Sequence, residues 1–276
     1  MSLKRDASGR LHIESPLMGE SLMDKSLLAS TTAQSIYRLM PDLVVVKIGG
    51  QSIIDRGREI LLPILDEIID ARQTHSILIT TGGGTRARHA YAIATDLGMP
   101  TGILAKLGSS ISEQNALMIA ILLSHHGGVK IGHDDLPKLP NYFATGGLPV
   151  THAMPPYGLF ETPPALGRIP PHRTDVGAFL LAEVMGASRC ILIKDEQGLY
   201  TADPKKDPAA KFIPEIEIND LLALDLNDLA VERSTLEALR DAQSLKEFFI
   251  VNGRERGNVT RAINGEHVGT RIYKAH

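Results

Sequence analysis

A lysine ends a buried-looking apolar strand just ahead of two glycines in Leu43-Val-Val-Val-Lys47-Ile-Gly49-Gly50. Glycines without a Cβ let backbone N–H groups approach an anion, and the lysine ammonium can act on phosphate oxygens as a point charge. A second run, Ser76-Ile-Leu-Ile-Thr80, leads into Gly82-Gly83-Gly84, with Arg86 and Arg88 at the head of the next helix. That combination reads as an oxyanion cradle. A third element places Thr174-Asp175 at a helix start, where an aspartate can hold Mg2+ through water or polarise an attacking oxygen. Lys194 ends the run Cys190-Ile-Leu-Ile193 as Lys47 ends its own. Each has a plainer structural reading: a lysine reaching solvent, solvated helix-start arginines, a helix cap at Thr174-Asp175, and an ion pair of Lys194 with Asp195 or Glu196.

Ten histidines are present, and His125, His126, His133, His152 and His172 lie in or beside a proline-rich stretch. They lack zinc-site spacing. Imidazoles can coordinate a metal oxyanion through nitrogen or donate hydrogen bonds when protonated, so His133, His152 and His172 are candidate oxometalate contacts beside the reading as ordinary surface or core residues.

The elements that must position these groups alternate. The run 43–48 has the pattern of a strand buried on both faces, and residues 57–72 place Ile60, Leu61, Ile64, Leu65, Ile68 and Ile69 on one helical face. With the strand at 76–80 they make a βαβ unit whose two glycine loops fall at the same carboxyl edge. Helices are expected at 86–97 and 109–126. Nine of the 16 prolines fall between Pro137 and Pro171, which predicts a largely loop-like segment around short strands such as Leu148-Pro-Val-Thr151. Beyond it come a helix from Thr174 to about 186, strands at 189–194 and 199–202, helices near 218–224 and 234–244, a strand at 248–251, a helix start at 258–263 and a last strand at 269–273. No internal repeat of fixed period is present. The pattern specifies a three-layer α/β/α sandwich around a mainly parallel sheet over residues 39–276, with a ligand crevice at the carboxyl ends of the strands.

The chain has 276 residues, 43% of them hydrophobic, enough for a substantial core. A net charge of -3 gives no broad footprint for nucleic acid. No stretch reaches the ~18 apolar residues of a membrane span, and no signal-peptide pattern opens the chain, so a cytoplasmic protein is expected. The single cysteine, Cys190, sits in an apolar run and reads as a buried hydrophobe. Residues 1–38 are polar and aperiodic and read as an N-terminal arm, either a disordered terminus or a piece that packs on a neighbouring subunit.

From Lys47 through Tyr273 the residues resemble the amino acid kinase superfamily. The pattern is Lys-x-Gly-Gly, Gly-Gly-Gly, Thr174-Asp-x-x-Ala178 and Gly198-x-Tyr-Thr-Ala-Asp-Pro204, with a C-terminal part (Asn252, Gly265, Gly269-Thr270) similar to bacterial uridylate kinases. The resemblance implies that fold and a catalytic set of Lys47, Asp175 and Lys194. It implies an ATP site of Lys47, Gly49, Gly50, Gln51, Gly83, Gly84, Arg88, Lys194, Asp195, Gly198, Tyr200, Asp203 and Pro204. Departures from uridylate kinases are specific: Thr85 stands for asparagine, His89 for glycine and Gln197 for an acid, and a stiff stretch from Met154 to His172 replaces a short glycine-rich turn.

A narrower set of motifs accounts for those departures together. Gly49-Gly-Gln-Ser-Ile-Ile-Asp-Arg-Gly57, Gly84-Thr-Arg-Ala-Arg-His89, Leu107-Gly-Ser-Ser110, Met154-Pro-Pro-Tyr157, Ile169-Pro-Pro-His-Arg-Thr-Asp175 and Gly265-Glu-His-Val-Gly269 resemble the molybdenum storage family, on the side of its β-type subunit. That resemblance implies ATP with Mg2+ and molybdate or tungstate held as polyoxometalate clusters. It also implies a hexameric cage formed with a homologous α-type subunit or with copies of itself, the arm aiding assembly and ATP hydrolysis driving loading. Residues 127–168, where cluster pockets are expected, match least. The alternatives are a UMP kinase-like phosphotransferase and a regulatory nucleotide-binding protein without turnover.

Overall fold

Alternation along one strand sets the layers. In β3 (Leu43–Ile48), Leu43 and Val45 join one buried cluster, while Val44, Val46 and Ile48 join another. Successive side chains of a strand point to opposite faces, so β3 must be covered on both sides. The computed structural model describes residues 35–275 together with residues 4, 5, 7, 9, 11, 12 and 25. Two compact units are separated after Tyr37. In the first, β1 (Lys4–Arg5) and β2 (Leu11–His12) pair antiparallel. Of the arm expected over residues 1–38, residues 1–3, 6, 8, 10, 13–24 and 26–34 lie outside the described residues.

The second unit continues with α1 (Arg58–Ala71), β4 (Ser76–Thr81), α2 (Gly84–Asp96), α3 (Thr101–Leu122), β5 (Gly128–Lys130), α4 (Leu139–Ala144) and β6 (Leu148–His152). Then follow α5 (Thr174–Met185), β7 (Arg189–Lys194), β8 (Leu199–Tyr200), β9 (Phe212–Ile213), β10 (Glu215–Glu217), α6 (Ile218–Ala223) and α7 (Arg233–Asp241). The chain closes with β11 (Glu247–Asn252), α8 (Asn258–Ile263) and β12 (Thr270–Tyr273). Eight strands form one sheet in the order β10-β12-β11-β7-β3-β4-β6-β5. Every neighbouring pair is parallel except β11 with β12. Helices α5, α6 and α7 cover one face and α1, α3 and α8 the other, each through its own cluster. This is the α/β/α sandwich expected from the sequence. No described helix is long and apolar enough to cross a membrane.

The differences have local causes. Helix α3 starts at Thr101 rather than near 109, because Gly102 and Gly108 do not break it. A Cβ on Gly102 would fall 2.2 Å from the Leu159 carbonyl oxygen, and one on Gly108 would fall 2.0 Å from Tyr91 Oη, so close packing explains both glycines. The proline-rich stretch is less loop-like than expected: a 3-10 turn at His133–Lys138, α4 and β6 occupy its first half. Only the part after His152 stays irregular, apart from a short turn at Gly158–Phe160. Strand β10 carried no period-2 signal because it is three residues long, and it pairs only with β12.

Helix α5 is seated by contact with backbone. A Cβ on Gly177 would lie 1.7 Å from the Ala153 carbonyl oxygen, which cannot swing away as a side-chain tip can. Gly177→Ala is expected to destabilise the protein by about 3 kcal/mol, the upper range for overpacking. An unchanged urea midpoint would contradict this close seating.

Candidate functional site

Strand parity brings the chemistry together. Lys47 continues the row of Leu43 and Val45, and Lys194 continues the row of Cys190 and Leu192, so both ammoniums reach the face covered by α5. Parallel pairing of β3 and β7 sets Lys47 against Leu192, and both strands end at the same edge. There the first turn of α5 supplies Asp175. Its Oδ2 accepts a hydrogen bond from Lys194 Nζ at 2.7 Å, and its Oδ1 lies 2.9 Å from Lys47 Nζ. The Lys47 contact is an ion pair without hydrogen-bond alignment, so Oδ1 is buried with no donor in line.

Burial is nearly complete, with Lys47 3% and Asp175 4% exposed. Burial alone would push the Asp175 carboxyl up, but the charges of Lys194 and Lys47 and the Lys194 hydrogen bond outweigh it and hold it below its ordinary value. Burial, together with the like charge of Lys47, lowers Lys194 against the pull of Asp175. Lys47, Lys194 and Arg173 stand here against the Asp175 and Glu232 carboxylates, a formal excess of one positive charge.

The glycine loops meet beside this triad. A Cβ on Gly50 would fall 2.1 Å from Gly84 N, so Gly49-Gly50 and Gly82-Gly83-Gly84 lie backbone to backbone. Around them opens a cavity of about 860 Å³. Its lining includes Lys47, Gly50, Gln51, Gly83, Gly84, Arg88, Asp175, Lys194, Asp195 and Asp203 from the sequence expectations. Tyr91, Met154, Ile169, Arg173 and Glu232 join them. At the rim, Arg56 pairs with Asp195, Lys205 with Glu196 at 2.5 Å, and Lys206 with Asp203 at 3.2 Å and Asp228 at 2.8 Å.

Other expected residues are placed elsewhere. Gly49 backs onto Ser52 and Ile193, and Gly198 backs onto Thr270, where a Cβ would fall 2.2 Å from Oγ1. The Tyr200 ring packs on Phe212 at 5.6 Å, and Pro204 follows Asp203 in the rim turn. Arg86 turns away from the glycines to Gln114 and Asn115 on α3, leaving Arg88 as the arginine of that helix on the cavity wall. Lys194 pairs with Asp175, not with Asp195 or Glu196.

Of the three candidate oxometalate histidines, two are together. The rings of His133 and His152 stack at 4.1 Å, and His133 Nε2 lies 2.9 Å from the His152 carbonyl oxygen. Burial, then the His133 ring, push His152 down to about 4, and its Nδ1 is buried without a hydrogen-bond partner. His172 has different neighbours: Glu161 Oε1 at 2.8 Å from Nδ1, and the Tyr157 ring at 5.9 Å. Among the described residues no group of three or more His, Cys, Asp or Glu side chains is placed to hold a metal ion.

Glu232 is the functional residue that sequence reasoning missed. It immediately precedes α7, yet its carboxylate accepts the N–H groups of Arg173, Asp175 and Val176 at 3.1, 3.2 and 3.2 Å. It thereby fixes the helix start that carries Asp175. No spacing rule links an acid to a helix start 57 residues upstream. Burial and then the Asp175 charge raise the Glu232 carboxyl above its ordinary 4.5, against the opposing Arg173 charge. A raised folded value means this contribution is full below the unfolded value near 4.5 and is lost as pH climbs through the folded one. In urea titrations from pH 4 to 8, Glu232→Gln is therefore expected to abolish part of the wild-type loss of stability with rising pH. Parallel pH profiles for the two proteins would refute the assignment.

Comparison with known proteins agrees with this geometry. The model of the amino acid kinase family matches residues 42–252. The molybdenum storage protein subunit beta of Azotobacter vinelandii is 48% identical over 96% of this chain and 98% of its own length. A uridylate kinase of Methanobrevibacter smithii is 28% identical over 83% of this chain and 98% of its own. In structure, the UMP kinase of Ureaplasma parvum superposes with a TM-score of 0.65 at 19% identity, covering 85% of this chain and 99% of that one. The uridylate kinase of Archaeoglobus fulgidus gives 0.64 at 22%, covering 83% and 99%. The chain belongs to the amino acid kinase family, within the group that includes molybdenum storage proteins.

Proposed function

We propose that this protein is the nucleotide-binding subunit of an assembly that stores molybdate or tungstate as oxide clusters. The single observation that carries the reading is the 48% identity over 96% of the chain to a molybdenum storage subunit, against 28% over 83% for a uridylate kinase. The name of that relative, a β subunit, supports a homologous α-type partner, with copies of this chain as the alternative. The hexameric cage of the family resemblance and a cytoplasmic setting are part of the proposal.

In this reading ATP enters the cavity with its phosphates toward Lys47, Lys194 and the backbone N–H groups of the paired glycine loops. Asp175 holds the two lysine side chains aimed at one place, and Glu232 keeps Asp175 in position. Mg2+ prefers one or two carboxylates plus phosphate oxygens and water over an all-protein cage. The residues present fit that mode: Asp175 Oδ1 is buried without an aligned donor, and no larger carboxylate cluster is placed to compete among the described residues. When bound, the ion supplies charge neutralisation on the phosphates. The chain's own part is to bind, orient and partly dehydrate them. His133, His152 and His172 are the proposed oxometalate contacts, and His152, held neutral at ordinary pH, has a nitrogen available as a ligand.

A kinase acting on UMP is the second reading, favoured by the shared fold and by the Lys47–Asp175–Lys194 arrangement. One preparation separates the two. Protein grown with molybdate, alone and with an α-type partner, is expected to carry many molybdenum atoms per assembly by native mass spectrometry and elemental analysis. Metal-free assemblies, together with steady formation of UDP from UMP and ATP, would overturn the proposal in favour of the kinase. Lys194→Met is expected to weaken binding of MgATP on the order of 100-fold, through loss of one charge-assisted phosphate contact. Calorimetric titration showing unchanged affinity would remove Lys194 from the nucleotide site.

A further inference from the structure

One buried carboxylate outside the cavity lining is committed to a single imidazole ring. The Glu161 side chain is 1% exposed, and its Oε1 accepts the Thr162 N–H at 2.7 Å and faces His172 Nδ1 at 2.8 Å. An ionised carboxylate can only accept, so Nδ1 is the ring nitrogen that carries hydrogen in this pair. In the neutral ring the lone pair then sits on Nε2, across the imidazole from Glu161. The His172 side chain is 31% exposed, so the ring reaches out of the packing that hides its partner.

The backbone that carries this ring is fixed on both sides. His172 follows Pro170-Pro171, and the Pro171 carbonyl accepts the Ser234 hydroxyl at 2.8 Å. The next residue, Arg173, gives its N–H to Glu232 at 3.1 Å. The Tyr157 ring meets the imidazole edge-on at 5.9 Å. The other two candidate histidines are held differently: His133 Nε2 lies 2.9 Å from the His152 carbonyl oxygen, and His152 Nδ1 is buried with no partner. Neither pairs with a carboxylate among the described residues. A histidine that binds metal through one ring nitrogen gives the other to a carboxylate, carbonyl or water, which fixes the tautomer, orients the ring and raises its basicity. His172 has that partner in place.

We propose that Glu161 is a positioning residue, which holds His172 in the tautomer that presents Nε2 as a single ligand to a metal oxyanion. This rests on the storage reading and narrows it. An oxometalate brings its own oxygen ligands, so one fixed nitrogen can tether it without a set of three protein ligands.

Tungstate is the probe. In solid-state NMR of protein labelled with 15N-histidine, the His172 ring, assigned by its loss in His172→Gln, is expected to carry hydrogen on Nδ1 and none on Nε2 at pH 8. Hydrogen on Nε2 alone would overturn the proposal. In tungstate uptake with MgATP, alone and with an α-type partner, Glu161→Met is expected to raise the half-saturating tungstate concentration about tenfold, the low end for losing the partner of a metal-bound histidine. Glu161→Gln keeps an amide oxygen for the Nδ1 hydrogen and should restore most of the uptake. Combining Glu161→Met with His172→Gln should be no worse than His172→Gln alone, because both residues act through one ring. Losses that add, or uptake unchanged in Glu161→Met, would leave Glu161 as a fastener of this segment and sink the inference alone. A wild type that takes up no tungstate would end the storage reading and the inference with it. The wild-type ring spectrum needs no change at Glu161, so it carries the test if Glu161→Met does not fold.

Discussion

Two ammoniums buried at one sheet edge need a carboxylate between them, and most of this structure follows from meeting that need. An unpaired charge out of water costs several kcal/mol, and losing one partner of a buried pair leaves the other uncompensated. Lys47 and Lys194 arrive by strand parity, but Asp175 must be delivered by a helix lying on the same face. Helix α5 can lie that close because Gly177 has no side chain, and its first turn is fixed because Glu232 engages three of its N–H groups. The triad is thus a joint product of the sheet, one helix and the residue preceding another.

The glycine loops, the lysines and Asp175 meet at one end of the cavity. Around them stand Met154 and Ile169 from the proline-rich stretch on one wall and Tyr91 and Arg88 on another, and Asp55 lies over the third glycine. Burial raises the Tyr91 hydroxyl to about 12, so it stays neutral on the wall that also carries Arg88.

What the sequence made legible was whatever obeys a local rule. The apolar runs marked Lys47 and Lys194 as matching strand ends, the βαβ order placed two glycine loops at one edge, and the pattern at Thr174 set Asp175 at a helix start. What stayed hidden depends on contacts between distant segments. Glu232 and Asp55 look like ordinary acids beside a helix and in a turn, and only the packed chain shows whose N–H groups they hold. Arg86 and Arg88 share one helix head, and only the family resemblance singles out Arg88; in the fold Arg86 is drawn to Asn115 and Arg88 lines the cavity. The helix expected from 109 begins at Thr101, and sequence cannot reveal that a carbonyl and a tyrosine come within contact of Gly102 and Gly108.

The irregular segment from Ala153 to Arg173 is anchored at both ends to the same helix. Its first residue abuts Gly177, and its last runs directly into the first turn of α5, held by Glu232. A strap fastened twice to one rigid bar has little freedom to slide. The strap and the turn that carries Asp175 are one continuous stretch of chain, fixed at one end by backbone packing and at the other by a carboxylate.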